Sequence, residues 1–158
     1  MSSFNPLSFF TSPVGLSAII AWLLAQWVKV PIEFIRTRKI NWALLISPGG
    51  MPSSHSALMT AVTTAIGLYV GFNSPLFALA LAISGIVVYD ATGVRRQAGL
   101  QAGRINLIVE EVFTNRKWPE EEWVKLVEVI GHSPGEAAAG VGFGIAVAVI
   151  VRLLMPPV

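Results

Sequence analysis

The octet Gly49-Gly50-Met51-Pro52-Ser53-Ser54-His55-Ser56 stands directly in front of a long apolar run, Ala57 to Val70. The octet is polar and turn-forming. Pro52 suits the first turn of a helix, where a missing N–H costs nothing. Ser53 or Ser54 can cap that helix with a side-chain oxygen. His55 then falls in the first helical turn, beside free backbone N–H groups and the positive end of the dipole. That is an anion site with a titratable imidazole in it. The plainer alternative is a serine-rich cap with an incidental histidine, and the rest of the chain has to decide between the two.

Composition places that run in a membrane. The 158 residues are 54% hydrophobic and 13% charged, with mean hydropathy +0.67. A soluble domain carries about a quarter charged residues. The length suits a single domain over 1–158. A net charge of +2 argues against a nucleic-acid partner. No cysteine is present, which excludes disulfides and thiol chemistry. The first twelve residues contain no Lys or Arg, so they lack the basic start of a signal peptide, and the first apolar run is read as a retained span.

Residues 1–13 read as an interfacial lead-in. Val14 to Val30 is a first span, with Trp22 and Trp27 suited to an approaching interface. Pro31 should kink the chain or begin a new helix, and Ile32 to Trp42 reads as a short interfacial helix. Ser53 to Phe72 is a second span, Asn73-Ser74-Pro75 a turn, and Leu76 to Tyr89 a third span. Residues 97–131 form the extended hydrophilic segment, read as two cytosolic amphipathic helices broken near Thr114–Pro119. Val124, Leu126, Val127 and Ile130 would be the apolar face of the second. The fourth span starts at Ser133-Pro134-Gly135-Glu136 and runs to about Met155. The expectation is an all-α integral membrane protein with about four transmembrane helices and short interfacial helices. Ala139, Gly140, Gly142, Gly144, Ala146 and Ala148 put small residues on the fourth span. They suit close packing within the bundle or, alternatively, a homo-oligomer face.

Ten of the eleven Lys and Arg residues lie in two segments, Lys29 to Lys39 and Arg95 to Lys125. By the positive-inside rule both face the cytoplasm. The adjoining span ends then share one surface, which holds Lys29, Arg36, His55, Asp90, Arg95, Arg96, His132 and Glu136. Lys29 and Arg36 share a helix face, with Glu33 between them able to pair with either. A basic cluster of this kind can also bind anionic lipid without specificity. Two imidazoles at helix starts among several cations suit a phosphate ester at the membrane surface. One histidine could attack phosphorus and the other protonate the leaving oxygen. Cations and N–H groups would stabilise the charge on the equatorial oxygens.

The order Lys29-x6-Arg36, Pro52-Ser53-Ser54-His55 and His132-x3-Glu136 resembles the type-2 phosphatidic acid phosphatase superfamily, which also contains vanadium haloperoxidases. The strings Gly-Gly-Met-Pro-Ser-Ser-His-Ser-Ala, Tyr-Asp-Ala-Thr-Gly-Val-Arg-Arg and Gly-His-Ser-Pro-Gly-Glu resemble its small, divergent membrane branch. The resemblance implies that His132 is the nucleophile, that Glu136 orients it, and that His55 protonates the leaving oxygen. Lys29 and Arg36, with Ser53 and Ser54, would hold the phosphate. It implies no metal and no cofactor. Thr37 stands where the family has Pro, and Ser54 where it has Gly. Leu126 stands where the family places an Arg, six residues before the nucleophile. Arg95 or Arg96 could supply the missing guanidinium, with Lys125 a weaker substitute. Ser133-x-x-Glu136 is also a capping box, a role that can coexist with orienting His132. Asp90, at the end of a span, is expected to pair with Arg95 or Arg96; orienting a histidine, or binding a metal with Glu110 or Glu111, are its alternatives.

These readings converge on hydrolysis of a lipid phosphate monoester at the cytoplasmic face, of the phosphatidylglycerol phosphate or phosphatidate type. The alternatives are a non-catalytic membrane protein binding anionic headgroups or a partner, and a metal-dependent lipid phosphotransferase built on Asp90. The charge pattern has a direct check. Single cysteines introduced at Asn41 and Asn115 should react with cytoplasmic thiol reagents, and one at Asn73 should not. Cytoplasmic labelling at Asn73 alone inverts the orientation.

Overall fold

Each long apolar helix begins on a serine. Ser12, Ser53, Ser74 and Ser133 each accept, through the side-chain oxygen, a backbone N–H three residues ahead. A proline follows directly in three of them, at Pro13, Pro75 and Pro134, where its fixed φ suits a first turn. The computed structural model describes residues 7–47, 49–113 and 124–156, and among them there is no strand. Its elements are α1 (Ser8–Thr11), α2 (Pro13–Thr37), a 3-10 turn (Trp42–Leu45), α3 (Ser54–Val70), α4 (Pro75–Thr92), α5 (Val94–Phe113) and α6 (Pro134–Leu154). Three stretches are long and apolar enough to cross a membrane: Pro13–Thr37, Pro75–Val112 and Pro134–Leu154. The fold is that of a helical integral membrane protein.

The innermost helix is the 17-residue α3, which touches α2, α4 and α6, whereas α2 and α4 do not meet. Its interior contacts are made by small residues. Ala57, Ala61 and Ala65 are fully buried, and Ala21 and Ala148 face them from α2 and α6. Gly140 and Gly144 let α6 approach closely: a Cβ on Gly144 would lie 2.3 Å from the Ala57 carbonyl oxygen, and one on Gly140 2.4 Å from that of Ser53. Of the two readings of the small-residue stripe, close packing within the bundle is therefore what Gly140 and Gly144 do. Across α3, the Thr63 and Ser84 hydroxyls share a 2.7 Å hydrogen bond and both reach the Met59 carbonyl, joining α3 to α4. At the far end Tyr69 donates to the Met155 carbonyl and Arg152 Nε to that of Leu68, closing α3 onto α6.

Two elements differ from the sequence expectation. Pro31 neither ends α2 nor starts a new helix; α2 runs through it to Thr37 and stops at Arg38, whose φ of 58° is left-handed. Only the bond to the Trp27 carbonyl is forfeited, a loss that apolar surroundings and packed neighbours tolerate. The expected second amphipathic helix is absent from the described residues 124–133. Residues 124–133 are an extended strap laid on α5. Val124, Val127, Val129 and Ile130 are β-branched and resist helix. The Asn106 side chain accepts the Leu126 N–H and donates to the Leu126 carbonyl and to Glu128, supplying the pairing a helix would have given. The expected break at Thr114–Pro119 and the first six residues of the lead-in lie outside the described residues.

The close α3–α6 contact predicts an asymmetric response to bulk. Gly144→Val must separate the helices and should cost about 1–3 kcal/mol, as overpacking does, lowering the thermal midpoint in detergent. Gly142→Val, where an added Cβ meets nothing within 4 Å, should leave that midpoint unchanged.

Candidate functional site

Three backbone and side-chain links gather the polar ends of the helices. The Ser53 N–H donates to the Glu136 carbonyl at 3.0 Å, setting the start of α3 beside the start of α6. The His132 N–H donates to the Ala91 carbonyl at 2.9 Å, setting the strap on the end of α4. Lys29 Nζ donates to the Ser47 carbonyl at 3.1 Å, tying α2 to the loop before α3. Gly131 makes the strap's last turn at φ 83°, so close to Ala91 and Arg96 that a side chain there would collide with backbone.

Between these ends lies a cavity of about 210 Å³, lined by His55, Val87, Asp90, Ala91, Arg95, Ile130, Gly131 and His132. Both histidines of the chain border it. His55 is the second residue of α3, and His132 stands two residues ahead of α6, so each is held by a helix start. Arg95 forms an ion pair with Asp90 on the same wall. Asp90 thus takes the ion-pair role expected of it, and among the described residues no group of three or more His, Cys, Asp or Glu is placed to hold a metal.

His132 is 3% exposed. Burial lowers its pKa below the ordinary imidazole value, the charges of Lys29 and His55 act in the same direction, and the Glu136 carboxylate opposes them. Its Nδ1 is buried 3.6 Å from Glu136 Oε2, longer than a hydrogen bond. The same Oε2 accepts the Ser133 N–H at 2.8 Å, and Ser133 Oγ accepts the Glu136 N–H, so the capping box is formed. Glu136 therefore caps α6 while facing the imidazole.

The remaining expected residues divide. Lys29 is 1% exposed and near enough to feel Glu136. Ser53 and Ser54 are buried but do not line the cavity. The Ser53 hydroxyl is occupied by Ser56 and its N–H by Glu136. Ser53 rather than Ser54 is the cap, which leaves Pro52 just ahead of the helix. Arg36 and Arg96 are exposed and absent from the lining, and the buried Lys29 is absent from it too. Among the described residues the ion pairs are Arg95–Asp90 and His132–Glu136, so Glu33 pairs with neither Lys29 nor Arg36. Ala91, Gly131 and Asn106 were not singled out from the sequence. Asn106 had a signal: a polar residue on the same α5 face as Gly99, Ala102 and Gly103 marks a close approach by another segment.

The fold and this cavity define a class, helical membrane proteins that join paired imidazoles and fixed cations at converging helix ends. The chain belongs to the divergent PAP2 family, whose model matches residues 10–147. It is 46% identical over 133 residues to the uncharacterized membrane protein YuiD of Bacillus subtilis (strain 168), covering 79% of this chain and 84% of that one. No solved structure matches it.

The electrostatics are open to titration. By histidine-selective NMR, His132 should titrate below about 6.5, the ordinary value, and Glu136→Gln should lower it further by removing the opposing charge. With the folded-state pKa depressed, the unfolded chain binds more protons. The stability from neutral His132 is present above about 6.5 and is lost as pH falls toward the folded-state pKa. A His132 pKa at or above 6.5 contradicts the burial argument.

Proposed function

We propose that this protein hydrolyses a phosphate monoester on a membrane lipid, of the phosphatidylglycerol phosphate or phosphatidate type, at the cytoplasmic face. The observation that carries the reading is the meeting of His55, His132 and Arg95 on one small cavity at the helix starts. Family membership supports the same chemistry, and the clustering of basic residues supports the leaflet.

In this reading neutral His132 attacks phosphorus. A proton on Nδ1, facing Glu136, leaves the Nε2 lone pair free, and the lowered pKa keeps it free at neutral pH. The P–O bond to the lipid breaks as His55 gives its proton to the leaving alkoxide. Water, deprotonated by His55, then cleaves the phosphohistidine and releases inorganic phosphate. Arg95 is the guanidinium on the cavity wall, replacing the one that Leu126 cannot provide, and Lys29 adds a buried positive charge behind it. Val87, Ala91 and Ile130 give the cavity an apolar flank suited to the lipid's glycerol end.

A second reading, a non-catalytic protein that binds anionic headgroups, draws on Glu136, whose carboxylate is engaged by the Ser133 N–H and stands 3.6 Å from Nδ1. Trapping separates the two. Rapid quench with ³²P-labelled lipid phosphates should yield an acid-labile, base-stable phosphoenzyme in the parent protein and none in His132→Ala. His55→Ala should slow its formation most for poor leaving groups. Full turnover by His132→Ala on every lipid phosphate the parent hydrolyses rejects the mechanism.

A further inference from the structure

The outward face of α2, turned away from the cavity, carries a second concave surface. Trp27, Val30, Pro31 and Phe34 recur at helical spacing and so share one side of α2. After Arg38 the chain reverses, and Ile40 and Trp42 return alongside them. The result is a groove of about 370 Å³ with purely apolar walls. It is held open: Gln26 Nε2 donates to the Leu45 carbonyl and Lys29 Nζ to that of Ser47, which fixes the returning segment against α2.

Its two indoles are conspicuously uncovered, Trp27 at 62% and Trp42 at 64% exposed. Large amphipathic rings of this kind favour the boundary between hydrocarbon and water. The turn between the groove's two walls carries Arg36, Arg38 and Lys39, all exposed, and none of them forms an ion pair with another of the described residues. An apolar channel that ends in three unneutralised cations is complementary to one kind of molecule, an acyl chain bearing a negative headgroup.

We propose that this face of α2 is a binding site for an anionic phospholipid, with one acyl chain in the Trp27–Trp42 groove and its phosphate on Arg36, Arg38 and Lys39. The site is separate from the histidine cavity and does not depend on the hydrolase reading. It accounts for Arg36, which the cavity does not use. A phosphodiester headgroup suffices, so the occupant need not be a substrate.

The test uses the two indoles as reporters. The full-length chain with Trp22, Trp118 and Trp123 changed to Phe is reconstituted in phosphatidylcholine vesicles. A minor fraction of either brominated-acyl phosphatidylglycerol or brominated-acyl phosphatidylcholine is then added. The site predicts several-fold stronger quenching by the anionic lipid at equal mole fraction. Combining Arg36→Gln, Arg38→Gln and Lys39→Gln should bring the two lipids level. Equal quenching in the parent overturns the proposal, as does a preference that survives the triple substitution. Quenching by neither lipid means a second copy covers the groove, and also overturns it. The readout needs no turnover, so its failure leaves the phosphatase reading untouched, and the reverse holds.

Discussion

The close approach of α3 and α6 at Gly140 and Gly144 is the constraint on which the rest of the molecule depends. A helix pair can come this near only where one partner offers no side chain, and here the contact falls within about three turns of both helix starts. The Ser53–Glu136 backbone bond is possible only at that separation. Residues 55 and 132 are far apart in sequence, yet they border one cavity because the two starts are pinned together. The dipoles of both helices then point their positive ends at the same small volume. Electrostatic preference for an anion is thus a by-product of packing, before any charged side chain is counted.

Much of this was legible. A serine cap ahead of α3, the capping box at Ser133 and Glu136, and the apolar lengths are local signals, and local signals translate directly into helix starts. An ion pair of Asp90 with Arg95 or Arg96 followed from its place at the end of a span, and Arg95 is the one that forms it. What could not be read depends on partners remote in sequence. The strap at 124–133 has apolar residues at helical spacing, and only the Asn106 side chain, on another element, makes the extended form the better-satisfied one. Pro31 has a local preference to end a helix, but α2 continues through it to Thr37. Arg95 and Arg96 are indistinguishable as letters. Both are exposed, but the Asp90 carboxylate holds Arg95 on the cavity wall, while Arg96 is absent from the lining.

The serine pair in the octet shows the same limit on a finer scale. Both hydroxyls looked available to a phosphate, but capping takes the Ser53 oxygen and close packing buries both residues. Groups that build a helix start are consumed by it. The donors left over for a ligand are those the helix cannot use, namely the imidazoles and the guanidinium of Arg95.

The difference in length between α2 and α3 has a consequence for solvation. α2 has 25 residues and α3 has 17, so α2 is longer by about 12 Å at 1.5 Å per residue. Lys29, buried but not part of the cavity lining, lies eight residues before the end of α2, again about 12 Å short of its tip. Of the two imidazoles, His132 is buried and His55 is exposed, so they border the cavity in unlike surroundings. An anion that met the buried His132 would give up part of its hydration shell there, in surroundings where a polar contact is stronger than at the open surface. The burial of one imidazole, rather than the number of charges, distinguishes this cavity from an ordinary basic patch.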